Sequence, residues 1–131
     1  MSEIHYNVFS LPAALMIEHD LSDDLVQTLN DYLDKERLSQ DKKSAGDSLI
    51  GQIHQGEQLE MDYELEELKL FRTIVENLGV SYLRHFVEFT KSQIRPKKVS
   101  MDKLWSVHSY AGDYNPIHDH LTSSPMGISF T

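Results

Sequence analysis

The apolar residues of this chain change period once, and the place where they change limits what it can fold into. From about Asp62, residues Leu68, Phe71, Val75, Leu78, Tyr82, Phe86 and Phe89 recur every three or four positions, as on one face of a long helix. Pro96 ends that pattern, because its ring removes an amide donor and crowds the preceding turn. Beyond it the period is two: Leu104, Ser106, His108 and Tyr110 face one way and Trp105, Val107 and Ser109 the other, which predicts a strand packed on at least one side. Helices followed by strands place the chain in the α+β class.

The segments before Asp62 can be read in the same way. Between Ile4 and Ile17 the β-formers Tyr6, Val8 and Phe9, interrupted by Pro12, predict a short edge strand, a bend and a second short strand. Ser22 supplies an N-cap and Asp23 and Asp24 supply negative charge for a helix from about Ser22 to Leu38, with Leu25, Val26, Leu29, Tyr32 and Leu33 on its apolar face. From Ser39 to Gln58 polar residues and Gly46, Gly51 and Gly56 break any period and predict a loop, in which Leu49, Ile50 and Ile53 could anchor a brief turn. Gly79 is a point at which the long helix could bend or split. Turns are expected at Gly112-Asp113 and Asn115-Pro116, and Met126 to Thr131 reads as the opening of a second buried strand. No repeat or linker divides the chain, so 1–131 is one domain, with strands and helices in 1–96 and the extended region in 97–131. Because the last residues look like a strand that has only begun, the chain is expected to be a fragment of a longer protein or to be completed by another chain.

Composition removes several function classes. With 21 acidic and 12 basic side chains the net charge is -9, a field that repels phosphate backbones and anionic lipid, so neither nucleic acid nor a membrane surface is an expected partner. The one modest basic patch lies between Lys91 and Lys103. With no cysteine the chain has no disulfide, thiolate metal site or cysteine nucleophile, and its composition suits a reducing cytoplasm. No stretch approaches the roughly 20 apolar residues that span a bilayer. Dinucleotide-binding glycines, a Walker loop and a Gly-x-Ser-x-Gly elbow are all missing from the sequence. The acid pairs at Asp23-Asp24 and at Glu64 with Glu66-Glu67 sit where helix starts attract negative charge.

Seven histidines remain as the chemistry-bearing residues. His5, His19, His54, His85 and His108 share no spacing, and each is assigned a structural or solvent role. His118 and His120 lie two apart after the glycine turn, and on an extended backbone such positions project from one face, so both imidazoles could reach one metal ion. The same spacing serves two surface imidazoles equally well. Asp119 points to the opposite face of a regular strand and would replace His120 as a ligand only if the strand carries a bulge.

The surrounding residues narrow the choice. Trp105, the run Gly112-Asp113-Tyr114-Asn115, His118-x-His120, Ser123, Gly127 and Phe130 together resemble the metal-binding stretch of the iron(II)- and 2-oxoglutarate-dependent dioxygenases, in particular a bacterial and phage branch of that superfamily. The resemblance covers Trp105 to Phe130. It implies N-terminal helices packed on a double-stranded β-helix, a cupin-like jelly roll, with Trp105 to Tyr110 as an early core strand and the chain ending soon after its first core strands. It further implies His118 as the first ligand of Fe(II), His120 or Asp119 as the second, and 2-oxoglutarate as co-substrate. The wider superfamily carries an acid at the position of His120, where the branch tends to carry histidine. Tyr110 and Tyr114 would line the pocket or hydrogen-bond the co-substrate, or else serve as a packed strand aromatic and a turn residue. The distal histidine and the Arg or Lys that holds the co-substrate's far carboxylate would lie beyond Thr131. Arg95, Lys97 and Lys98 precede the motif and read as solvated charges flanking a strand.

The expected activity is hydroxylation of a small-molecule or protein substrate with release of succinate and CO₂, by a chain compatible with a homo-oligomer. Two other classes stay open. One is a non-catalytic interaction or structural module on the same scaffold, and the other is a zinc-binding regulatory domain that uses His118 and His120.

Overall fold

The computed structural model describes residues 4–11, 14–46, 56–91, 93, 98–114 and 116. Among these residues the chain is α+β, with two helices, two small two-stranded antiparallel sheets and no closed or curled sheet. β1 (Asn7–Leu11) and β2 (Ala14–Glu18) form the hairpin expected around Pro12, with Asn7 opposite Glu18 and Leu11 opposite Ala14.

α1 (Asp23–Leu38) begins where the sequence places it. The Ser22 hydroxyl accepts a hydrogen bond from the Leu25 amide, and Asp23 and Asp24 lie in the first turn, while Lys35 and Arg37 lie in the last. Leu25 and Tyr32 are buried, one on each of two adjoining apolar clusters. Val26, expected on the same face, is exposed instead, since it lies one position around the helix from Leu25.

The predicted loop 39–58 gives way to strand two residues early. β3 (Glu57–Glu60) starts inside it, and Lys43 to Ala45 lie along its outer edge: the Glu60 amide donates to the Lys43 carbonyl and the Ala45 amide to the Gln58 carbonyl, each at 2.9 Å. The anchors Leu49, Ile50 and Ile53 lie outside the described residues.

The long helix is shorter than its apolar spacing predicts. A turn at Tyr63–Glu64 and a single 3-10 turn at Glu66–Leu68 precede α2 (Lys69–Thr90), which runs unbroken through Gly79. It ends at Lys91, whose φ of 53° is left-handed, so the helix closes before Pro96 is reached. Glu66 and Glu67 occupy that 3-10 turn, as expected for acids at a helix start.

The core lies between α1 and the first half of α2. Leu25 packs with Phe71 and Val75, while Tyr32 packs with Met61 and the fully buried Leu68; Leu29 and Leu104 touch both groups. The second half of α2 carries Phe86 and Phe89, expected as core but exposed, because the α1 cluster reaches only as far as Val75. β2 packs along α2, and the Tyr6 ring stands edge-on to His85.

The chain returns from α2 through Met101, whose amide donates to the Glu76 carboxylate at 2.9 Å, and enters β4 (Trp105–His108). β4 pairs with β3, Glu57 opposite His108 and Glu60 opposite Trp105, and the Met61 amide extends the ladder to the Leu104 carbonyl. The strand predicted to reach Tyr110 stops at His108, since Tyr110 already opens a turn. Among the described residues no helix is long and apolar enough to cross a membrane.

Candidate functional site

Alternation along β4 puts Ser106 and His108 on one face, where the Ser106 hydroxyl and His108 Nε2 lie 3.0 Å apart. Antiparallel register adds Glu57 beside His108 and Leu59 beside Ser106. The end of α1 approaches this face. Arg37 Nε donates to Glu57 Oε1 at 3.2 Å, and Nη2 donates to the Tyr110 hydroxyl at 3.4 Å. Lys42 Nζ donates to Glu57 Oε2 at 2.6 Å and to the Arg37 carbonyl at 3.2 Å. One carboxylate thus sits between two cations, and α1, β3 and the turn after β4 are joined through side chains.

The charges set the protonation states. The Lys42 ammonium, assisted by Arg37, holds the Glu57 carboxyl below its ordinary value against a smaller opposing effect of burial. Hydrogen bonds to Tyr110 and Glu57 keep Arg37 firmly charged. Burial, with the Arg37 charge next, pushes the His108 imidazole down, so it is neutral at physiological pH. A neutral imidazole can exchange a hydrogen bond with the Ser106 hydroxyl. Neighbouring positions on one strand face suffice to bring the two together.

Beyond His108 the chain turns sharply. The Asp113 amide donates to the Tyr110 carbonyl at 2.9 Å, and Gly112 has a φ of 99°, as the third residue of a type II turn requires. Asp113 then reaches back: its Oδ2 accepts from the Tyr110 amide at 3.0 Å and from the Gly56 amide at 3.1 Å. Gly56 is a close approach of backbone to backbone, since a Cβ there would lie 1.6 Å from the His108 carbonyl oxygen.

The predicted metal ligands His118 and His120, the alternative Asp119, and the strand expected at Met126 to Thr131 lie outside the described residues. Tyr110 and Tyr114 are within them, 54% and 59% exposed, the first opening the Gly112 turn and the second following it. The described residues contain no group of three His, Asp or Glu side chains able to hold a metal ion. Of the scattered histidines, His19 Nδ1 bonds the His5 carbonyl and His85 meets the Tyr6 hydroxyl at 3.4 Å, while His54 is outside the described residues. A groove of about 270 Å³ runs beside β3, lined by Lys42, Ser44, Gly56, Glu57 and Gln58 among others.

Sequence reasoning did not single out Arg37, Lys42 or Glu57. No local spacing could, because Arg37 is 20 residues from Glu57 and 73 from Tyr110. The one available sign was the clustering of cations at the end of α1, which a helix C-terminus favours on its own account. Comparison with known proteins returned no matching family model, no matching curated protein and no matching solved structure.

Proposed function

We propose that this chain carries the metal-binding part of an Fe(II)- and 2-oxoglutarate-dependent oxygenase that hydroxylates a small-molecule or protein substrate, releasing succinate and CO₂. The observation that supports this reading most is the local path of the chain. Trp105 opens a paired strand, and Gly112-Asp113 turns it, at the positions where the dioxygenase motif has its strand and its glycine turn. In this reading β3 and β4 belong to a double-stranded β-helix, and the protein works in the cytoplasm.

His118, with His120 or Asp119, would hold the Fe(II). Two imidazoles, or an imidazole and a carboxylate, are donors that Fe(II) accepts, and such a set leaves positions open for small ligands. When bound, the metal supplies O₂ activation coupled to oxidative decarboxylation of 2-oxoglutarate. The chain's own contribution is placement. Arg37 orients the Tyr110 hydroxyl while leaving that ring exposed, and Tyr114, just past the turn, is exposed as well.

Succinate formation by the purified full-length protein supplied with Fe(II), 2-oxoglutarate and O₂ tests the proposal. Turnover that disappears in His118→Ala supports it. A full-length protein that neither binds Fe(II) nor forms succinate overturns it, and tight Zn(II) binding with no response to 2-oxoglutarate replaces it with a zinc-binding regulatory domain.

A further inference from the structure

We propose that the cleft between the open end of the β1–β2 hairpin and the first half of α2 binds a small organic cation, an ammonium group carried on an apolar body. The proposal stands apart from the oxygenase reading and uses none of its residues. The cleft has a volume of about 620 Å³, within the range of sites that take small molecules. Residues 4–7 and 18–20 form one wall, and α2 from Leu70 to Asn77 forms the other. The hairpin wall is held in place. β2 packs along α2, and the Tyr6 hydroxyl meets His85 Nε2 at 3.4 Å with the two rings edge-on. His19 Nδ1 bonds the His5 carbonyl, so the two chain segments that make up this wall are tied to each other.

The lining sets the class of ligand. Ile74 lines the cleft and packs behind it on the cluster of Leu25, Phe71 and Val75, so this wall belongs to the core. Leu70 and Tyr6, 58% and 37% exposed, add apolar surface that the fold leaves uncovered. Burying such surface is favourable without being directional, so it selects an apolar body and little else. Charge supplies the rest. Glu18 and Asp20 line the same cleft, and neither carboxylate has an ion-pair or hydrogen-bond partner. Among the described residues no lysine or arginine lines it, and the net charge of -9 adds to the local field. An anion is repelled there, whereas an ammonium group meets two unpaired carboxylates and an aromatic ring. The Asn77 side chain, also without a partner, offers a further oxygen acceptor. A metal ion fits less well, since the described residues hold no group of three His, Asp or Glu side chains that could bind one.

The test is a titration of the full-length protein with 2-phenylethylammonium, followed by backbone amide chemical shifts, with neutral 2-phenylethanol and anionic 3-phenylpropanoate as controls. The cation should shift the amides of Thr73, Ile74 and Asn77 saturably, with a Kd of about 1–10 mM for a probe of this size. The alcohol should bind about three- to tenfold more weakly, the effect of losing up to two exposed ion pairs, and the anion should leave those amides unmoved. Added salt should bring the cation's affinity toward that of the alcohol. Glu18→Gln/Asp20→Asn should do the same, while Leu70→Asn should weaken cation and alcohol alike. All three positions are exposed, and helical circular dichroism checks that each variant folds. If a variant does not fold, the three probes and the salt dependence on wild type still decide the matter. A cation that gives no saturable shift along Leu70 to Asn77 overturns the site. Alcohol or anion binding as tightly as the cation, or an affinity for the cation unchanged in the folded double variant, overturns the ligand class.

Discussion

Replacing Tyr32 by Phe isolates one bond that holds α1 to the start of the α2 segment. The Tyr32 ring is almost fully buried against Met61 and Leu68, and its hydroxyl accepts the Asp62 amide at 3.0 Å. Phenylalanine keeps the ring and its apolar contacts, so only the acceptor is lost. A hydrogen bond of this kind contributes about 0.5–1.5 kcal/mol net, and a part-buried amide left without a partner adds to the loss. The expected cost is about 1–2 kcal/mol, which for a chain of this size lowers Tm by about 3–10 °C. Urea denaturation followed by circular dichroism reads it as a lower midpoint at unchanged slope. Alkaline pH provides a second readout. Burial, more than the neighbouring acids Glu36, Asp62 and Glu67, raises the Tyr32 phenol above its ordinary value of 10.0 despite the opposing Asp62 amide. The unfolded chain therefore loses this proton first, so the stabilisation is complete below about pH 10 and is lost as pH rises through the folded value. The Phe variant lacks this loss, and the gap between the two proteins should narrow above pH 10. A Tyr32→Phe change smaller than about 0.3 kcal/mol, against that expectation, would refute the role given to this bond.

Three further outcomes follow from the packing and the charges. Leu68→Ala empties a fully buried position between Tyr32 and Met61 and should cost about 2–5 kcal/mol in the same denaturation assay. Gly56→Ala drives a Cβ into the His108 carbonyl and must separate β3 from β4, so amide exchange at Ser106 to His108 should accelerate, whereas unchanged protection there would contradict the close approach. Because His108 is held below its ordinary value, the unfolded state takes up its proton first as pH falls through about 6.5. Stability should drop between pH 7 and 5, and His108→Gln should flatten that part of the profile.

Local features were legible in the sequence where local chemistry decides them. Ser22 with its two following acids marks the start of α1, Pro12 sits between two short β-forming runs, and Gly112-Asp113 marks a turn that only a glycine makes without strain. β3 was missed because Glu57-Gln58-Leu59-Glu60 has neither β-branched residues nor aromatics. It is extended because β4 and the Lys43–Ala45 segment both pair with it, and no local signal announces such pairing. Helical spacing was right about Phe71 and Val75 and wrong about Phe86 and Phe89. Period tells which residues share a face, and the length of the opposing helix decides how much of that face is covered. At the candidate site, only the resemblance singles out Tyr110. Its partners Arg37 and Asp113, and the Glu57 carboxylate that joins Arg37 to Lys42, come together only when α1 folds onto the β3–β4 pair.

The oxygenase reading stands or falls on whether the full-length protein binds Fe(II) and 2-oxoglutarate together. Anaerobic titration of the purified full-length protein with Fe(II) in the presence of 2-oxoglutarate, followed by visible absorption, is the most direct test. A charge-transfer band that requires both components and is lost in His118→Ala is the expected result. Absence of any band at saturating Fe(II) and 2-oxoglutarate, with neither component retained by the protein, would contradict it.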